Sequence, residues 1–219
     1  MEEEKTSAIE WKNADRRQIE NFKQTAENIF APVYRVLARQ VVDDYKIRDG
    51  ICIDIGSGTG GFGIEIAKIT DMQVYLIDIN EKMIGLIKER IEKENLEGRV
   101  KAVEGDVHSL PFDDDFADLV VSRGSFHFWH DRRDAFSEIY RILKKGGTGF
   151  IGGGFGRDKN VRETAMALHE ETFKSVNDGK GFHETLGERY ENLREILEGR
   201  EGFNIIFDKS GLWVEIRKK

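Results

Sequence analysis

The run ICIDIGSGTGG, residues 51–61, joins a short apolar segment to a cluster of glycines. β-Branched residues followed by Gly56, Gly58 and Gly60 are typical of a buried strand that turns tightly into a helix. Such a turn lets the backbone approach a ligand and presents the free N–H groups of the next helix. The same run fits the dinucleotide pattern Gly-x-Gly-x-x-Gly through Gly56, Gly58 and Gly61. The loop alone therefore predicts a nucleotide-type ligand without deciding its class.

Strand and helix patterns alternate on either side of this loop. Short apolar runs predict strands at 51–55, 73–79, 99–106, 115–124 and 146–154, and helical spacing predicts helices at 62–69, 81–95 and 131–145. Such alternation predicts a parallel sheet with helices on both faces. Asp78 stands at the end of the second strand, where its carboxylate could accept hydrogen bonds from ribose hydroxyls.

The two ends of the chain follow other patterns. Residues 1–45 have apolar positions at helical spacing, with Pro32 where a second helix could begin. Helical stretches at about 158–176 and 184–198 precede two strand candidates, FNIIFDKS and GLWVEIRKK. Ser210-Gly211 between these candidates is a hairpin signal, so we expect the final strand to be antiparallel.

Composition excludes several classes of protein. The chain has 219 residues, 39% of them hydrophobic, and its 14 Phe supply a core for one substantial domain. There is no apolar run near the roughly 20 residues that span a bilayer, and no signal-peptide pattern, so we expect a cytoplasmic protein without a membrane partner. A net charge of -7 argues against nucleic acid as a partner. Cys52, the single cysteine, is expected to be a small buried hydrophobe.

Three further features narrow the class of ligand that the glycine loop could bind. Asp54 precedes the first glycine by two residues, where its charge would repel a pyrophosphate but suits a sulfonium and an ammonium. Asp106, in EGDVHSLPFDDD, follows the third strand and could accept from an exocyclic amine, and RILKKGG (141–147) leads into the fifth strand. In this order and spacing the segments resemble class I S-adenosylmethionine-dependent methyltransferases, especially the small-molecule enzymes of ubiquinone and sterol type (methyltransferase type 11). The resemblance is strong over 47–153 and weak over the last two strands.

The resemblance implies an α/β fold, a Rossmann-like three-layer sandwich with a seven-stranded, mostly parallel sheet whose last strand is antiparallel. It implies a single methyltransferase domain over 1–219. Its parts would be N-terminal helices (1–46), a cofactor-binding core (47–154), a small helical cap (155–199) and a final hairpin (200–219). It also implies S-adenosyl-L-methionine as the cofactor, with S-adenosyl-L-homocysteine as its product.

Cofactor contacts can be carried over to matching positions. The glycine loop would lie under the methionine part, Asp78 would bind the ribose hydroxyls, and Asp106 would bind the adenine amine. Tyr34 or Arg35, from the N-terminal helices, would contact the cofactor carboxylate. The expected cofactor-binding residues are Tyr34, Asp54, Gly56, Ser57, Gly58, Gly60, Asp78, Ile79, Met83, Gly105, Asp106, Val107, Ser122 and Arg123.

The loop SRGSFHFWHD, residues 122–131, follows the fourth strand and should border the reaction zone. Its His127 is the candidate general base or acceptor-positioning group, and a packing role is the simpler alternative. The spacing of His127 and His130 is a weak metal pattern, so no metal is expected. His183, in the cap, could also reach over the site. The partner would be a small-molecule acceptor, which the sequence does not identify.

Three functions remain open at this point. The leading hypothesis is methyl transfer to a small molecule by in-line displacement. A protein of the same fold could instead bind the cofactor as a partner or sensor without catalysis. A nicotinamide-dependent oxidoreductase is the third alternative, although no hydride-transfer site is recognisable. The N-terminal helices could also pack against a second subunit, which leaves a homo-oligomer open.

Overall fold

One sheet organises the protein. A computed structural model describes residues 11–176 and 185–219, and orders seven strands β3-β2-β1-β4-β5-β7-β6. β7 runs antiparallel to both of its neighbours, and the pairs from β3 to β5 are parallel. The predicted mostly parallel sheet with an antiparallel last strand is confirmed. The strand bounds are Ile51–Ile55 (β1), Gln73–Asp78 (β2), Val100–Glu104 (β3), Ala117–Arg123 (β4), Leu143–Gly154 (β5), Phe203–Asp208 (β6) and Gly211–Arg217 (β7).

Several helices start where a polar side chain caps the first turn. Asp15 and Thr185 form capping boxes, and Asn80 and Asp131 accept from backbone N–H groups of the helices that they precede. The helix bounds are Arg16–Thr25 (α1), Ala31–Tyr45 (α2), Gly61–Ile69 (α3), Glu81–Lys93 (α4), Arg132–Ile142 (α5), Lys159–Val176 (α6) and Leu186–Leu197 (α7).

The N-terminal helical region differs from its prediction in one respect. Between α1 and α2 the chain makes a π-helical turn, Ala26–Phe30, which apolar spacing does not reveal. Such turns are frequent at functional sites. Pro32 lies in the first turn of α2, as expected. Residues 1–10, residue 184 of the second cap helix and His183 lie outside the described residues.

The sheet is buried on both faces. On one face α2, α3 and α4 pack over residues such as Cys52 and Leu76. On the other, α5 and α7 pack over residues such as Ile53 and Val120. Neighbouring residues Cys52 and Ile53 thus serve opposite core layers, which explains why β1 reads as a continuous apolar run. Cys52 is fully buried, as predicted.

The direction in which successive strands are added to the sheet reverses between β1 and β4. β2 and β3 extend the sheet on one side of this point, and β4 and β5 extend it on the other. A crevice forms at such a point beside the carboxyl ends of the strands, and open α/β sheets bind ligands there. In the part of the chain that the structure describes, no helix is long and apolar enough to cross a membrane.

Candidate active site

A cavity of about 1150 Å³ lies at the carboxyl ends of the central strands. The glycine loop and the ends of β2 and β4 line it from the core, and the region around α1, the π-helical turn, α6 and the β6–β7 hairpin complete its wall. Pockets for a single small ligand usually measure about 300–1,000 Å³. This cavity therefore has room for a ligand on the sheet and a second molecule beside it.

The glycine loop is held in a left-handed conformation. Gly56, Gly58 and Gly60 have φ values of 62°, 56° and 75°, which side-chain-bearing residues rarely adopt. A Cβ atom on Gly58 would lie 2.6 Å from the ring of Phe22, because α1 packs directly on the loop. The backbone N–H of Ser57 donates to the carbonyl of Ile77 at 2.8 Å, which fastens the loop to β2. The loop is therefore preformed at the cavity floor.

Asp78 ends β2 with its carboxylate in the cavity wall. It accepts from the backbone N–H groups of Gly58 at 2.9 Å and Asn80 at 3.0 Å, and from the side chain of Trp11. Burial raises the pKa of Asp78 to about 6, although these hydrogen bonds oppose the rise. At neutral pH the group is mostly ionised and can accept from ligand hydroxyls.

Asp54 lies beneath the loop and is absent from the cavity lining. Its carboxylate accepts from the backbone N–H of Gly63, in the first turn of α3, at 2.9 Å. Burial and the charge of Asp78 together raise the pKa of Asp54 to about 7, although the hydrogen bond from Gly63 opposes the rise. The structure thus gives Asp54 a role in fixing the start of α3 against β1.

Ten of the expected residues are brought together in the lining: Tyr34, Gly56, Gly58, Asp78, Ile79, Gly105, Asp106, Val107, Arg123 and His127. The others lie behind this surface: Asp54, Ser57, Gly60, Met83 and Ser122. Met83 packs with Ala14 and Ile19. The Ser122 hydroxyl lies 2.6 Å from that of Ser125, so it supports the loop after β4.

At the β3 end, Asp106 is paired with a histidine. Its Oδ1 lies 2.6 Å from Nδ1 of His108, and this hydrogen bond lowers the pKa of Asp106 to about 2. Nε2 of His108 accepts from the backbone N–H of Asp131 at 3.3 Å, so a neutral imidazole carries its proton on Nδ1. The centre of the His130 ring lies 3.7 Å from the centre of the His108 ring. Asp106 is therefore an ionised acceptor at the edge of the cavity.

His127 is a weak base in this environment. Burial, together with the positive charges of Arg189, Arg132 and Arg123, lowers the pKa of its imidazole to about 3. The imidazole is thus neutral throughout the physiological range. Its ring also lies 3.4 Å from the position of a Cβ on Gly153, against the end of β5. A packing role, or a hydrogen bond to a bound small molecule, suits His127 better than proton abstraction.

Several residues of the cavity lining are not among those that the sequence predicts. Trp11, His108, Phe155 and His169 all line the cavity. Trp11 and His169 come from segments far from the glycine loop in the chain, and only tertiary packing brings them there. His108 could have been found, because it follows Asp106 by two residues and both belong to one turn.

A family model described as a methyltransferase domain matches residues 53–151. A solved structure from Methanococcus maripaludis, described as a candidate S-adenosyl-L-methionine-dependent methyltransferase, is 36% identical, covers 94% of both chains and superposes with a TM-score of 0.84. The chain belongs to this methyltransferase family. An Aquifex aeolicus SAM-dependent methyltransferase, 16% identical with a TM-score of 0.63 and covering 92% of this chain and 96% of that one, shares the fold.

Curated relatives match the core of this methyltransferase-family chain. The ubiquinone/menaquinone biosynthesis C-methyltransferase UbiE of a Marinomonas species is 30% identical over 118 residues, 52% of this chain and 47% of its own length. A chloroplastic 2-methyl-6-phytyl-1,4-hydroquinone methyltransferase of Spinacia oleracea is 36% identical over 104 residues, 48% of this chain and 29% of its own. The matches thus span about half the length of these relatives or less.

Proposed function

We propose that the protein transfers a methyl group from S-adenosyl-L-methionine to a small-molecule acceptor. The proposal rests on one observation: Asp78, at the end of β2, and Asp106, just after β3, line the same cavity as the glycine loop. Ribose hydroxyls and an adenine amine are hydrogen-bond donors, and two carboxylates ionised at neutral pH are the acceptors that they need. The donor and acceptor set of this chain therefore fits the cofactor.

We assign the cofactor contacts as follows. Asp78 would bind the ribose hydroxyls, and Gly56 and Gly58 would let the backbone approach the methionine part. Asp106 would accept from the adenine amine, and the backbone N–H of Val107 would donate to a ring nitrogen. Asp54, which bonds the start of α3 under the loop, would act through the loop's position rather than by contact.

When bound, the cofactor supplies a methyl group on a positively charged sulfur. The chain's own task is to hold the acceptor atom about 3–3.5 Å from that carbon and to exclude water. Tyr34, Phe126 and Trp129 are buried side chains of the cavity wall that serve this exclusion. His127, with its pKa near 3, would position the acceptor as a neutral hydrogen-bonding group.

The acceptor would have a substantial apolar part. Among the described residues, the large hydrophobic side chains that stand out as exposed are Met166, Leu168, Leu186 and Phe207, at 41–54% exposure. All four line the cavity, on the side formed by α6, α7 and the final hairpin. Exposed apolar groups gathered at one opening are typical of a site for an apolar ligand. The named relatives, which methylate a phytyl hydroquinone or belong to ubiquinone biosynthesis, are consistent with such an acceptor.

We further infer a cytoplasmic enzyme whose partner is a metabolite rather than a nucleic acid. The net charge of -7 and the single buried cysteine support this inference.

Thermal unfolding with S-adenosylmethionine, S-adenosylhomocysteine or NAD, each in excess, tests the cofactor. A ligand at 100 times its Kd adds about 2.7 kcal/mol to the free energy of unfolding. We expect a rise in Tm with both adenosyl compounds and none with NAD. A rise with NAD alone would overturn the proposal.

Radiolabelled methyl transfer to hydroquinones with and without a prenyl chain then tests the acceptor class. Preference for the prenylated compound would support an apolar acceptor. Tight binding of the cofactor without transfer to any small molecule would instead favour a partner or sensor.

A further inference from the structure

The inward face of α6 changes from apolar to polar along its length. Val161 and Ala165 pack on the core, and Ala165 is only 3% exposed. His169 and Thr172, one and two turns further along the same face, line the cavity instead. A polar side chain that faces a cavity can meet a ligand, whereas in the core it would need an internal partner. The helix therefore places His169 in the wall of the site.

Two aromatic rings hold the imidazole of His169 in place. Its ring centre lies 5.9 Å from that of Phe30 and 5.9 Å from that of Phe155, with interplanar angles of 35° and 79°. Phe30 is buried, and Phe155 packs against the core. Because these contacts come from two sides, they restrict the rotation of the His169 side chain. A group that is fixed before a ligand arrives loses little conformational entropy when the ligand binds.

The surroundings of His169 favour its neutral form. Burial and the positive charge of Arg123 lower the pKa of His169 below its ordinary value of 6.5, and the charge of Glu170 opposes this shift. At pH 7 and above the ring is therefore mostly uncharged. A neutral imidazole has one N–H donor and one nitrogen acceptor, so it can keep a contact within the protein and still bind a ligand. A ligand hydroxyl suits either nitrogen, because a hydroxyl both donates and accepts.

Exposed apolar side chains adjoin His169 at the opening of the cavity. Met166 and Leu168, on the same helix, are each 41% exposed and line the cavity, and His169 is less exposed than either. Residues three apart on a helix are neighbours, with about 5–6 Å between their Cβ atoms, so the Met166 and His169 side chains lie side by side. A ligand whose apolar part contacts Met166 thus has a polar partner within reach of its other end.

Two more histidines belong to the described part of the cavity lining, and both follow strands of the sheet. His108 is hydrogen-bonded to Asp106, and His127 lies against Gly153 at the end of β5. Of the three, His169 is the one that shares a helix with exposed apolar side chains of the opening. Its position therefore suits contact with the methyl acceptor.

We propose that His169 binds a hydroxyl of the methyl acceptor and so determines which end of the acceptor enters the site. The inference rests on the proposed function, because that function supplies an acceptor with an apolar part. The acceptor class is then an apolar body that carries a hydroxyl, such as an alkylated phenol. Its hydroxyl would lie at His169, and its apolar body would lie against Met166 and Leu168.

Calorimetric titration with 4-butylphenol and butylbenzene tests the hydroxyl contact, on protein saturated with S-adenosylhomocysteine. One variant is His169→Phe, which keeps an aromatic ring beside Phe30 and Phe155. Its affinity for 4-butylphenol relative to butylbenzene should fall roughly 5- to 50-fold below the wild-type ratio, because the buried hydroxyl loses its partner. The control is Met166→Ala, which removes apolar surface at the opening. It should weaken both compounds by a similar factor and change their affinity ratio less than about 2-fold.

Two further measurements separate the hydrogen bond from packing. His169→Gln has an amide donor and acceptor, so it should keep most of the wild-type ratio. If His169→Phe fails to fold, 15N NMR of the wild-type protein takes its place. The ring nitrogen signals of His169 should then shift much more with 4-butylphenol than with butylbenzene.

The inference is wrong if His169→Phe has the wild-type affinity ratio, if Met166→Ala lowers that ratio as much, or if wild type binds neither compound. In the NMR measurement, equal shifts with the two compounds would overturn it. Failure of the proposed function is a separate outcome, in which wild type binds neither S-adenosylmethionine nor S-adenosylhomocysteine. The same two titrations on the free protein would then still decide whether His169 binds a hydroxyl.

Discussion

Replacing Asp54 with Asn isolates the contribution of a buried carboxylate beneath the glycine loop. Asp54 is 1% exposed, and its Oδ2 accepts from the N–H of Gly63. The amide oxygen of Asn can accept the same hydrogen bond, so Asp54→Asn should keep the loop and the start of α3 in place. It removes only the charge and one proton-binding site.

The size of the effect follows from the pKa of about 7 in the folded chain, against about 3.9 for an unfolded Asp. Between these values the folded state binds more protons than the unfolded state, so the free energy of unfolding falls as pH rises. One pKa unit is worth about 1.4 kcal/mol, which sets an upper bound of about 4 kcal/mol. This stability is fully present below pH 4 and is lost as pH rises to 7. We expect Asp54→Asn to equal wild type near pH 4 and to become more stable than wild type by pH 8.

Urea unfolding at pH 4, 6 and 8 measures the difference, with Asp43→Asn as the control. Asp43 is an exposed aspartate paired with Arg48, so its replacement should give a small difference. Affinity for S-adenosylhomocysteine should change less than about 3-fold in Asp54→Asn, because Asp54 does not line the cavity. A stability difference that is constant with pH, or that has the opposite sign, would refute the reasoning. A tenfold loss of affinity would make Asp54 a ligand-contacting residue.

Three other outcomes are expected. Asp78→Ala should weaken S-adenosylhomocysteine binding by roughly 1–3 kcal/mol by calorimetry, and unchanged affinity would remove its ribose assignment. Gly58→Ala should destabilise the fold by about 1–2 kcal/mol in urea unfolding, since the position has φ 56° and its Cβ would meet Phe22. Its control Gly85→Ala, inside α4 with open space around it, should stabilise by about 0.5–1 kcal/mol. The imidazole proton signals of His127 should not titrate by NMR between pH 5 and 8, and a midpoint near 6.5 would contradict its surroundings as described.

Local patterns were sufficient for the sheet and for the glycine loop. Strand and helix periodicities are properties of neighbouring residues, and the parallel strands between crossover helices follow from them. Asp78 and Asp106 could be placed in the cavity because strand ends meet at one edge of the sheet. Periodicity does not show the π-helical turn at Ala26–Phe30, since its geometry depends on packing against the rest of the fold.

The position of Asp54 shows where such reasoning stops. Its place two residues before the first glycine is compatible with a ligand contact, but the side chains of successive strand residues point to opposite faces of the sheet. The direction of the Asp54 side chain depends on the pleat of β1 and on the packing of Gly63 against that strand. Trp11 is a second example, because its contact with Asp78 joins residues 67 positions apart in the numbering. No local pattern encodes a contact of that range.

Different segments of the chain form different parts of the cavity, which explains why the sequence indicates the cofactor but not the methyl acceptor. The family model covers 53–151, which contains the glycine loop, Asp78 and Asp106. Other parts of the cavity wall come from outside that range, namely Phe30 and Tyr34 from the N-terminal helical region, Met166 and His169 from α6, and Phe207 from β6. Contacts such as that of Arg123, at the end of β4, with Phe30 join the two parts, as do those of Trp11 with Asp78 and of Phe22 with the glycine loop.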